Sequence, residues 1–428
     1  MFWFDTAWQI QNVFNSWWMF FNIIALTVLG ITAWLGYRKP VLATSIIAGC
    51  MPLYLLRATL GPLPTTFLEL LIWAGFLGWF VGVMRRKHYI GGLKYFRAPI
   101  ILLILAATLG LLIAPDTRAA AGLWKAYIVD PLLFFVMARS VIASHGAARY
   151  TLALSMALSG AIISIFAIAQ YFTAFGIALP AWVAPDTRRV TAHYTSPNAI
   201  GLYLAPITIL LCGWVFRKQT LLKRLGLLLM VALNLAAIYC TFSQGTWLGV
   251  GAGMLVILSL GVHWFIGPGL IALGTTIVLL SERLTTALTP YFFFKDPGGQ
   301  SRLQLWSMAW DKLTSSIGTF VAGAGILGFA QFQNTTRDPQ RIEALLYPHT
   351  FVFNFWLEFG LLGLLAVLFL ISRTIRVARL DSRANPEHKA IILGALAGLI
   401  ATIIHGFVDV PYFKNDLAVL WWLLIALV

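Results

Sequence analysis

The chain has 428 residues, of which 60% are hydrophobic and only 11% are charged. An ordinary globular domain has about 25% charged residues, so this composition excludes a water-soluble fold and predicts an all-α integral membrane protein. The net charge is +15. Because most basic residues lie between apolar stretches, we interpret this charge as orienting the chain in a bilayer, not as binding nucleic acid.

The apolar stretches predict twelve or thirteen transmembrane helices, since a helix needs about 20 apolar residues to cross a membrane. The candidates are 17–36, 40–56, 65–84, 98–114, 119–138, 150–176, 196–215, 222–242, 245–262, 264–281, 351–371, 388–408 and 412–428. Twelve spans remain if the aromatic first segment only lies on the surface. The beginning of the chain has no basic segment and no small-residue cleavage site, so we expect no cleavable signal peptide.

Three connections between these spans are rich in lysine and arginine, namely 85–97, 217–224 and 373–389. Thirteen spans place all three on one side of the membrane, which the positive-inside rule makes cytoplasmic. We therefore expect a transmembrane bundle over 1–281, a long outer loop over 282–350 and further transmembrane helices over 351–428. Together they form one integral domain, with the loop on the outer side of the membrane.

The long outer loop is the extended polar region of the chain, and it carries six lysines and arginines. Its stretch 300–317 has apolar residues at nearly helical spacing, which predicts an amphipathic helix at the membrane surface. These residues are Leu303, Leu305, Trp306, Trp310 and Leu313. A second outer segment, 177–195, precedes the span at 196–215.

A histidine and three arginines on these two outer segments form a chemically coherent group: His349, Arg302, Arg188 and Arg189. The guanidinium group binds phosphate oxygens in a bidentate way and keeps its charge. Histidine is well suited to accept a proton near neutral pH. The alternatives are a histidine that anchors a helix start and arginines that are solvated or bind lipid headgroups.

Ionisable residues in or near the spans support a rival hypothesis, a proton-coupled transporter. They are Glu69, Lys125, Asp130, Glu358, His405 and Asp409. Lys125 and Asp130 are close enough in sequence to neutralise each other, and Asp409 follows His405 at the i, i+4 spacing of one helix face. Polar contacts between helices would also explain them, and a non-catalytic lipid-binding scaffold is a third possibility.

Several motifs are absent from the sequence. It has no Walker A loop, H-E-x-x-H or G-x-S-x-G motif. Its three cysteines, Cys50, Cys212 and Cys240, have neither metal-binding spacing nor a disulfide pattern. The outer segments have no D-x-D pair to clamp a metal-bound nucleotide sugar. We therefore expect no metal or cofactor, and an outward-facing enzyme would need an activated donor anchored in the membrane.

The stretch "SRLQLWSMAWDKLTSSIGTFVAGAGILGFAQF", followed by "PHTFVFNFWLEFGLLGLLAVL", resembles the O-antigen ligase and polymerase superfamily. The shared features are an arginine–tryptophan helix, a Gly-x-Gly turn at Gly323 and Gly325, a histidine, and a span with glutamate, glycine and leucine. "RRVTAHYTSPNAIGLYL" and "CTFSQGTWLGVGAG" are similar to two further segments of that family. The resemblance covers about residues 184–372.

This resemblance implies a membrane glycosyltransferase that takes a glycan from undecaprenyl diphosphate, without a metal and with inversion at the sugar. His349 matches the family's proposed base. Arg189 and Arg302 match positions that hold the diphosphate, with Arg188 as a further candidate. Supporting positions are Glu358, Trp306 and Asn198. Thr350 and Gln244 depart from the pattern, since the family commonly has asparagine and arginine there, and one phosphate contact would then be lost or supplied by Arg188.

The resemblance further implies that the donor's partner in the reaction is an acceptor hydroxyl at the periplasmic face. An O-antigen ligase, with the lipid A core as acceptor, is the first reading. A polymerase of the same family, with a glycan repeat as acceptor, is the alternative. The sequence leaves the sugar and the oligomeric state open.

Overall fold

The computed structural model describes residues 18–60, 63–337 and 345–428. These residues form seventeen α-helices and one short hairpin. The first ten helices are α1 Trp18–Arg38, α2 Pro40–Gly49, α3 Phe67–Met84, α4 Arg97–Leu112, α5 Thr117–Ser144, α6 Ala148–Thr173, α7 Pro197–Val215, α8 Leu221–Thr241, α9 Gln244–Gly261 and α10 Ile266–Leu280. The remaining seven are α11 Glu282–Phe292, α12 Pro297–Thr314, α13 Ile317–Ala322, α14 Gly328–Thr336, α15 Phe351–Ala384, α16 Lys389–His405 and α17 Asn415–Leu427. The hairpin pairs β1 Arg57–Leu60 with β2 Leu63–Thr66.

The predicted all-α, multi-pass membrane architecture is confirmed, and each of the thirteen predicted spans contains a helix. Among the described residues, eight helices are long and apolar enough to cross a membrane: α3, α5, α6, α7, α8, α9, α15, and α16 with the turn before it. Four apolar helices are shorter: α1, α2, α4 and α17. α10 and α11 are together long and apolar enough to cross a membrane, but the chain bends by 108° between them. The total of twelve or thirteen spans stays a prediction, and residues 1–17 lie outside the described part of the chain.

The prediction of one span over 40–56 is wrong. α2 ends after ten residues at Gly49, and a 3₁₀ turn at Met51–Leu55 and the hairpin follow. The physical reason is local, because glycine weakens a helix and Pro52 has no N–H group to continue it. α3 then begins with a capping box, in which Thr66 and Glu69 bind each other's backbone N–H groups.

Small residues bring several helices into close contact, as is typical of membrane proteins. A Cβ atom on Gly78 would lie 1.8 Å from the carbonyl oxygen of Ala33, so α1 and α3 pack backbone to backbone. Gly213 and Gly394 do the same for α7 and α16, since a Cβ on Gly213 would lie 2.5 Å from the Cα of Gly394. α17 is surrounded on all sides, and every residue from 416 to 427 is buried.

The basic connections lie at one end of the bundle, which we call the basic face. The guanidinium of Arg376 lies over the ring of Tyr95, and that of Arg217 lies over the ring of Tyr150. Arg139 and Arg149 both pair with Asp381 on α15, at 3.5 Å and 2.8 Å, and donate to the last carbonyl groups of α17. These contacts confirm that the three connections share one side; that this side is cytoplasmic stays a prediction.

The region 282–337 falls within the predicted long loop and contains four helices, α11 to α14, where amphipathic helices were predicted. α12 begins and ends three residues before the predicted helix 300–317. It buries Leu305, Ala309 and Leu313 against α14 and α15. Leu303 and Trp310 belong to the predicted apolar face but lie outside this buried stripe and are 40% and 48% exposed.

The Gly-x-Gly turn fastens these short helices to the bundle. Gly323, Gly325 and Gly360 all have φ between 70° and 80°, a region that glycine adopts without a steric cost. The N–H of Ala324 donates to the carbonyl of Leu357 at 2.7 Å, and α15 is kinked at Gly360. A side chain on any of the three glycines would collide with backbone atoms of the opposing segment. The turn therefore fixes α13 and α14 against α15 and the end of α4.

Candidate functional site

His349 lies in a strained turn directly before α15. Its φ is 53°, the left-handed region that is uncommon for residues other than glycine. The N–H of Phe351 donates to the carbonyl of Gly406 at 2.6 Å, which ties this turn to the 406–414 loop between α16 and α17. Thr350 is the N-cap residue of α15, but its side chain does not cap the helix. The turn thus brings the imidazole of His349 to the 406–414 loop.

Asp409, in that loop, is the partner of His349. Nδ1 of His349 and Oδ1 of Asp409 are 3.2 Å apart, and the same oxygen accepts the N–H of Val410 at 2.8 Å. Burial alone would raise the pKa of Asp409, but the hydrogen bond with His349, the charges of His349 and His405 and the Val410 N–H hold it below its usual range. Asp409 is therefore a carboxylate at neutral pH.

The predicted proximity of His405 and Asp409 is found, since they lie at ion-pair distance, but the prediction that they share one helix face is wrong. α16 ends at His405, so Asp409 is no longer helical. Nε2 of His405 and Oδ2 of Asp409 are 3.8 Å apart, which is too long for a hydrogen bond. The residue that Asp409 orients is His349, which is 60 positions away in the sequence.

The contact between His349 and Asp409 has a chemical consequence. A carboxylate that accepts the Nδ1 proton holds the neutral imidazole in one tautomer and leaves the Nε2 lone pair as an acceptor. The imidazole side chain is 29% exposed, whereas the Asp409 side chain is 7% exposed. The pair can therefore accept a proton from a group that approaches from outside.

Arg302 is joined to the same loop one residue earlier. Its Nε donates to the carbonyl of Val408 at 2.9 Å, a contact between α12 and the 406–414 loop. Val408 and Asp409 are consecutive, so Arg302 and His349 are held to adjacent residues. The structure thus brings together two residues that the sequence places 47 positions apart.

Arg189 approaches from the 177–195 segment. Its Nε donates to the carbonyl of Thr241 at 2.8 Å, and Nη2 lies 3.5 Å from Oδ1 of Asn198. Burial and then the nearby charge of Arg302 lower the pKa of Arg189, so the two guanidinium groups share one neighbourhood. Within the described part of the chain neither forms an ion pair with a carboxylate. Two cations in one neighbourhood without carboxylate partners favour an anionic ligand.

The structure separates Arg188 from this pair. Its Nε and Nη2 donate to the carbonyl of Val183 at 2.9 Å and 2.8 Å, and its Nη1 donates to that of Tyr171 at 2.8 Å. These contacts fold the 177–195 segment onto the end of α6. Arg188 therefore has a structural task, and the extra phosphate contact expected from it is without support. Gln244 is exposed at the first position of α9.

Two of the predicted supporting residues act on the scaffold. Glu358 is buried at the α15 kink, where its Oε2 accepts the N–H of Leu327 at 3.1 Å. The ring of Trp306 packs against Phe294, with ring centres 5.2 Å apart, and against the buried face of α12. Glu358 therefore joins the start of α14 to α15, and Trp306 holds α12 in place. Asn198 does contact a site residue, through Arg189.

A second polar cluster, which the sequence did not predict, lies near the His349–Asp409 pair, since the charge of Asp409 acts on Lys414. The ammonium of Lys414 lies 4.2 Å from the ring centre of Tyr194 and 5.0 Å from that of Tyr54. The hydroxyl of Tyr194 donates to Asp416 at 2.9 Å. Burial, then the charge of Lys414, lowers the pKa of His193 to about 4. Among the described residues, Nζ of Lys414 and Nε2 of His193 have no hydrogen-bond partner. The sequence signal for this cluster was the aromatic residues next to His193 in "HYT" and next to Lys414 in "YFKND".

Apart from Glu358 at the α15 kink, the ionisable residues of the transporter hypothesis separate into two groups. Lys125 pairs with Glu69, and its ammonium is 3.9 Å from Asp130, so its closest partner is not the one predicted. The amide of Asn415 also donates to Glu69. This group lies near the hairpin, while His405 and Asp409 belong with His349.

In the described residues, no group of three or more His, Cys, Asp or Glu is placed to hold a metal ion. Comparison with protein-family models found no match, and no curated protein matches the chain significantly. The resemblance to the O-antigen ligase and polymerase superfamily therefore rests on the residues quoted for it and stays a prediction.

Proposed function

We propose that the protein is an inverting membrane glycosyltransferase, which moves a glycan from a polyprenyl diphosphate to an acceptor hydroxyl without a metal. The observation that carries the proposal is the His349–Asp409 pair beside Arg189 and Arg302, two cations without carboxylate partners in the described chain. A base and a diphosphate site are the two parts that such a reaction requires.

The proposed reaction is a single displacement. Nε2 of His349 accepts the proton of the acceptor hydroxyl while the oxygen of that hydroxyl attacks the anomeric carbon of the donor sugar. The new carbon–oxygen bond forms as the bond from that carbon to the diphosphate oxygen breaks. Arg189 and Arg302 stabilise the charge that develops on the departing diphosphate. Asp409 holds the imidazole in the correct tautomer and stabilises the imidazolium that forms.

The position of these groups suits a lipid-linked donor. His349 directly precedes the long apolar helix α15, so it is near the depth at which lipid headgroups lie. A polyprenyl tail would remain in the bilayer while its diphosphate reaches the arginines.

Within this proposal, ligation to the lipid A core is the first candidate and polymerisation of glycan repeats is the alternative. Both use undecaprenyl diphosphate as the carrier and act at the periplasmic face of the bacterial inner membrane. The resemblance supports both equally at the donor site. Surface glycans of a deletion strain distinguish them, because loss of attachment with polymer retained indicates a ligase and accumulation of single repeats indicates a polymerase.

The direct test uses purified protein with an undecaprenyl-diphosphate-linked glycan and an acceptor. His349→Asn is the informative variant, because asparagine tolerates the left-handed backbone better than alanine but cannot act as a base. We expect transfer to fall about 10²–10⁴-fold, the usual contribution of a general base. Added imidazole should restore part of the rate.

His145→Ala is the matched control, since His145 is exposed in the connection between α5 and α6. It should transfer at the wild-type rate. Wild-type transfer by His349→Asn would remove the base from the proposal. Proton flux that depends on substrate in proteoliposomes, without glycan transfer, would support the transporter instead.

A further inference from the structure

A cavity of about 640 Å³ lies at the basic face, between α7, α9 and α16. It is at the opposite end of α16 from His405, so it does not belong to the candidate active site. Its inner wall is apolar and includes Ile257 and Leu393, while Arg217, Lys218 and Lys389 line its polar part.

The glycine pattern explains why the cavity is at this end. Near His405, α9 packs tightly on α16, because a Cβ on Gly249 would lie 2.8 Å from the carbonyl of Ala401. Gly253 is similarly close to Ile209 on α7. At the other end of α9, a Cβ on Gly261 would meet no atom within 4 Å. The three helices are therefore in contact near the site and leave an opening at the basic face.

The charges around the opening are predominantly positive. Arg217, Lys218 and Lys389 face one carboxylate, Glu387, and in the described chain none of the three forms an ion pair. The guanidinium of Arg217 is held in place, with its carbon 4.0 Å from the ring centre of Tyr150. The hydroxyl of Tyr150 donates in turn to the carbonyl of Glu387 at 2.5 Å. One cation is thus preorganised, and the two lysines are exposed beside it.

The surroundings are those of a membrane surface. Phe216 lines the cavity and is 63% exposed, and Trp264 follows α9 directly and is 72% exposed. Exposed aromatic residues at the ends of spans are typical of the headgroup region. Inorganic phosphate would use the cations but not the apolar wall, whereas a phospholipid uses both.

We propose that this cavity binds an anionic phospholipid, with the phosphate at Arg217 and Lys389 and the upper acyl chain between α7, α9 and α16. Basic openings between transmembrane helices bind acidic lipid headgroups in this way, with about a fivefold gain in affinity for each lysine or arginine. The site is independent of the proposed transferase reaction.

The test measures lipid binding to the delipidated full-length protein by native mass spectrometry, with phosphatidylglycerol and phosphatidylcholine that have identical acyl chains. We expect phosphatidylglycerol to bind at least fivefold more tightly. Lys389→Gln should lower phosphatidylglycerol affinity about fivefold, and Lys389→Gln with Arg217→Gln should remove the preference.

Gly261→Leu tests the apolar wall without changing charge, because the side chain would enter open space. It should weaken phosphatidylglycerol binding, and millimolar inorganic phosphate should not displace the lipid. Lys223→Gln is the control, an exposed lysine at the start of α8 that does not line the cavity. Equal binding of the two lipids, unchanged binding in Lys389→Gln or Gly261→Leu, or displacement by phosphate would each overturn the proposal.

Discussion

The two ends of α16 both carry polar groups, but they hold them differently. At the His405 end, Arg302, Arg189 and His349 each bind a fixed acceptor, either a backbone carbonyl or the Asp409 carboxylate. At the Lys389 end, the two lysines are exposed around an opening that the helices do not fill. Fixed groups suit directional chemistry, whereas exposed cations recognise charge. Geometry should therefore matter at the first end more than at the second.

The largest effect after the loss of His349 is expected from Asp409→Asn. The amide keeps the shape of the side chain but cannot hold the same tautomer or stabilise an imidazolium. Transfer should fall about 10²–10⁴-fold. The dependence of kcat on pH should also change, because His349 loses its charged neighbour. This second readout distinguishes positioning of the base from a merely structural role.

Asp311→Asn is the control for that change, since Asp311 is exposed on α12. It should leave both the rate and the pH profile unaltered. If Asp409→Asn transferred glycan at the wild-type rate, Asp409 would not orient a catalytic base. The ordered contacts at the His405 end of α16 would then serve packing only.

A smaller effect is expected from Arg302→Lys, which keeps the charge and removes the planar fork. Lysine cannot hold the Val408 carbonyl and a phosphate oxygen in the same geometry. We expect transfer to fall on the order of 10²-fold, as for the loss of one donor to a developing anion. Steady-state kinetics with the lipid-linked donor provide the measurement.

Arg283→Lys, an exposed position on α11, supplies the matched comparison and should change little. An Arg302→Lys variant as active as the wild type would mean that charge alone suffices at this end. Arg302 would then resemble the lysines at the basic face and would no longer be assigned to the proposed diphosphate site.

Much of the fold was predictable, because long apolar stretches and basic connections are strong signals. The span over 40–56 failed where Gly49 and Pro52 ended α2, a local effect that the hydrophobic average conceals. The site was predictable in part. His349, Arg302 and Arg189 were singled out by residue type, but the Asp409 contact depends on where α16 ends. The different roles of Arg188 and Arg189 could not be predicted from the sequence, because they depend on the carbonyl groups that Arg188 binds in the fold.

The smallest effect concerns stability, and it also compares the two ends. The folded pKa of Asp409 is below its unfolded value of about 3.9. Its charge therefore contributes stability that is fully present above that unfolded pKa and is lost as the pH falls towards the folded pKa. Asp409→Asn should lower the free energy of unfolding of the detergent-solubilised protein at pH 7 by about 1–3 kcal/mol. A lower Tm is the measured sign of this loss. This difference from the wild type should shrink below about pH 4.

Glu387→Gln is the counterpart at the Lys389 end of α16. Its side chain is 57% exposed and lies 3.6 Å from His388, so solvent screens the interaction. Thermal unfolding of this variant should differ little from the wild type at either pH. A difference for Asp409→Asn that stays constant in acid would mean that the loss comes from packing and not from the charge. The charge of Asp409 in its contact with His349 would then not be what stabilises the His405 end of α16 relative to the exposed Lys389 end.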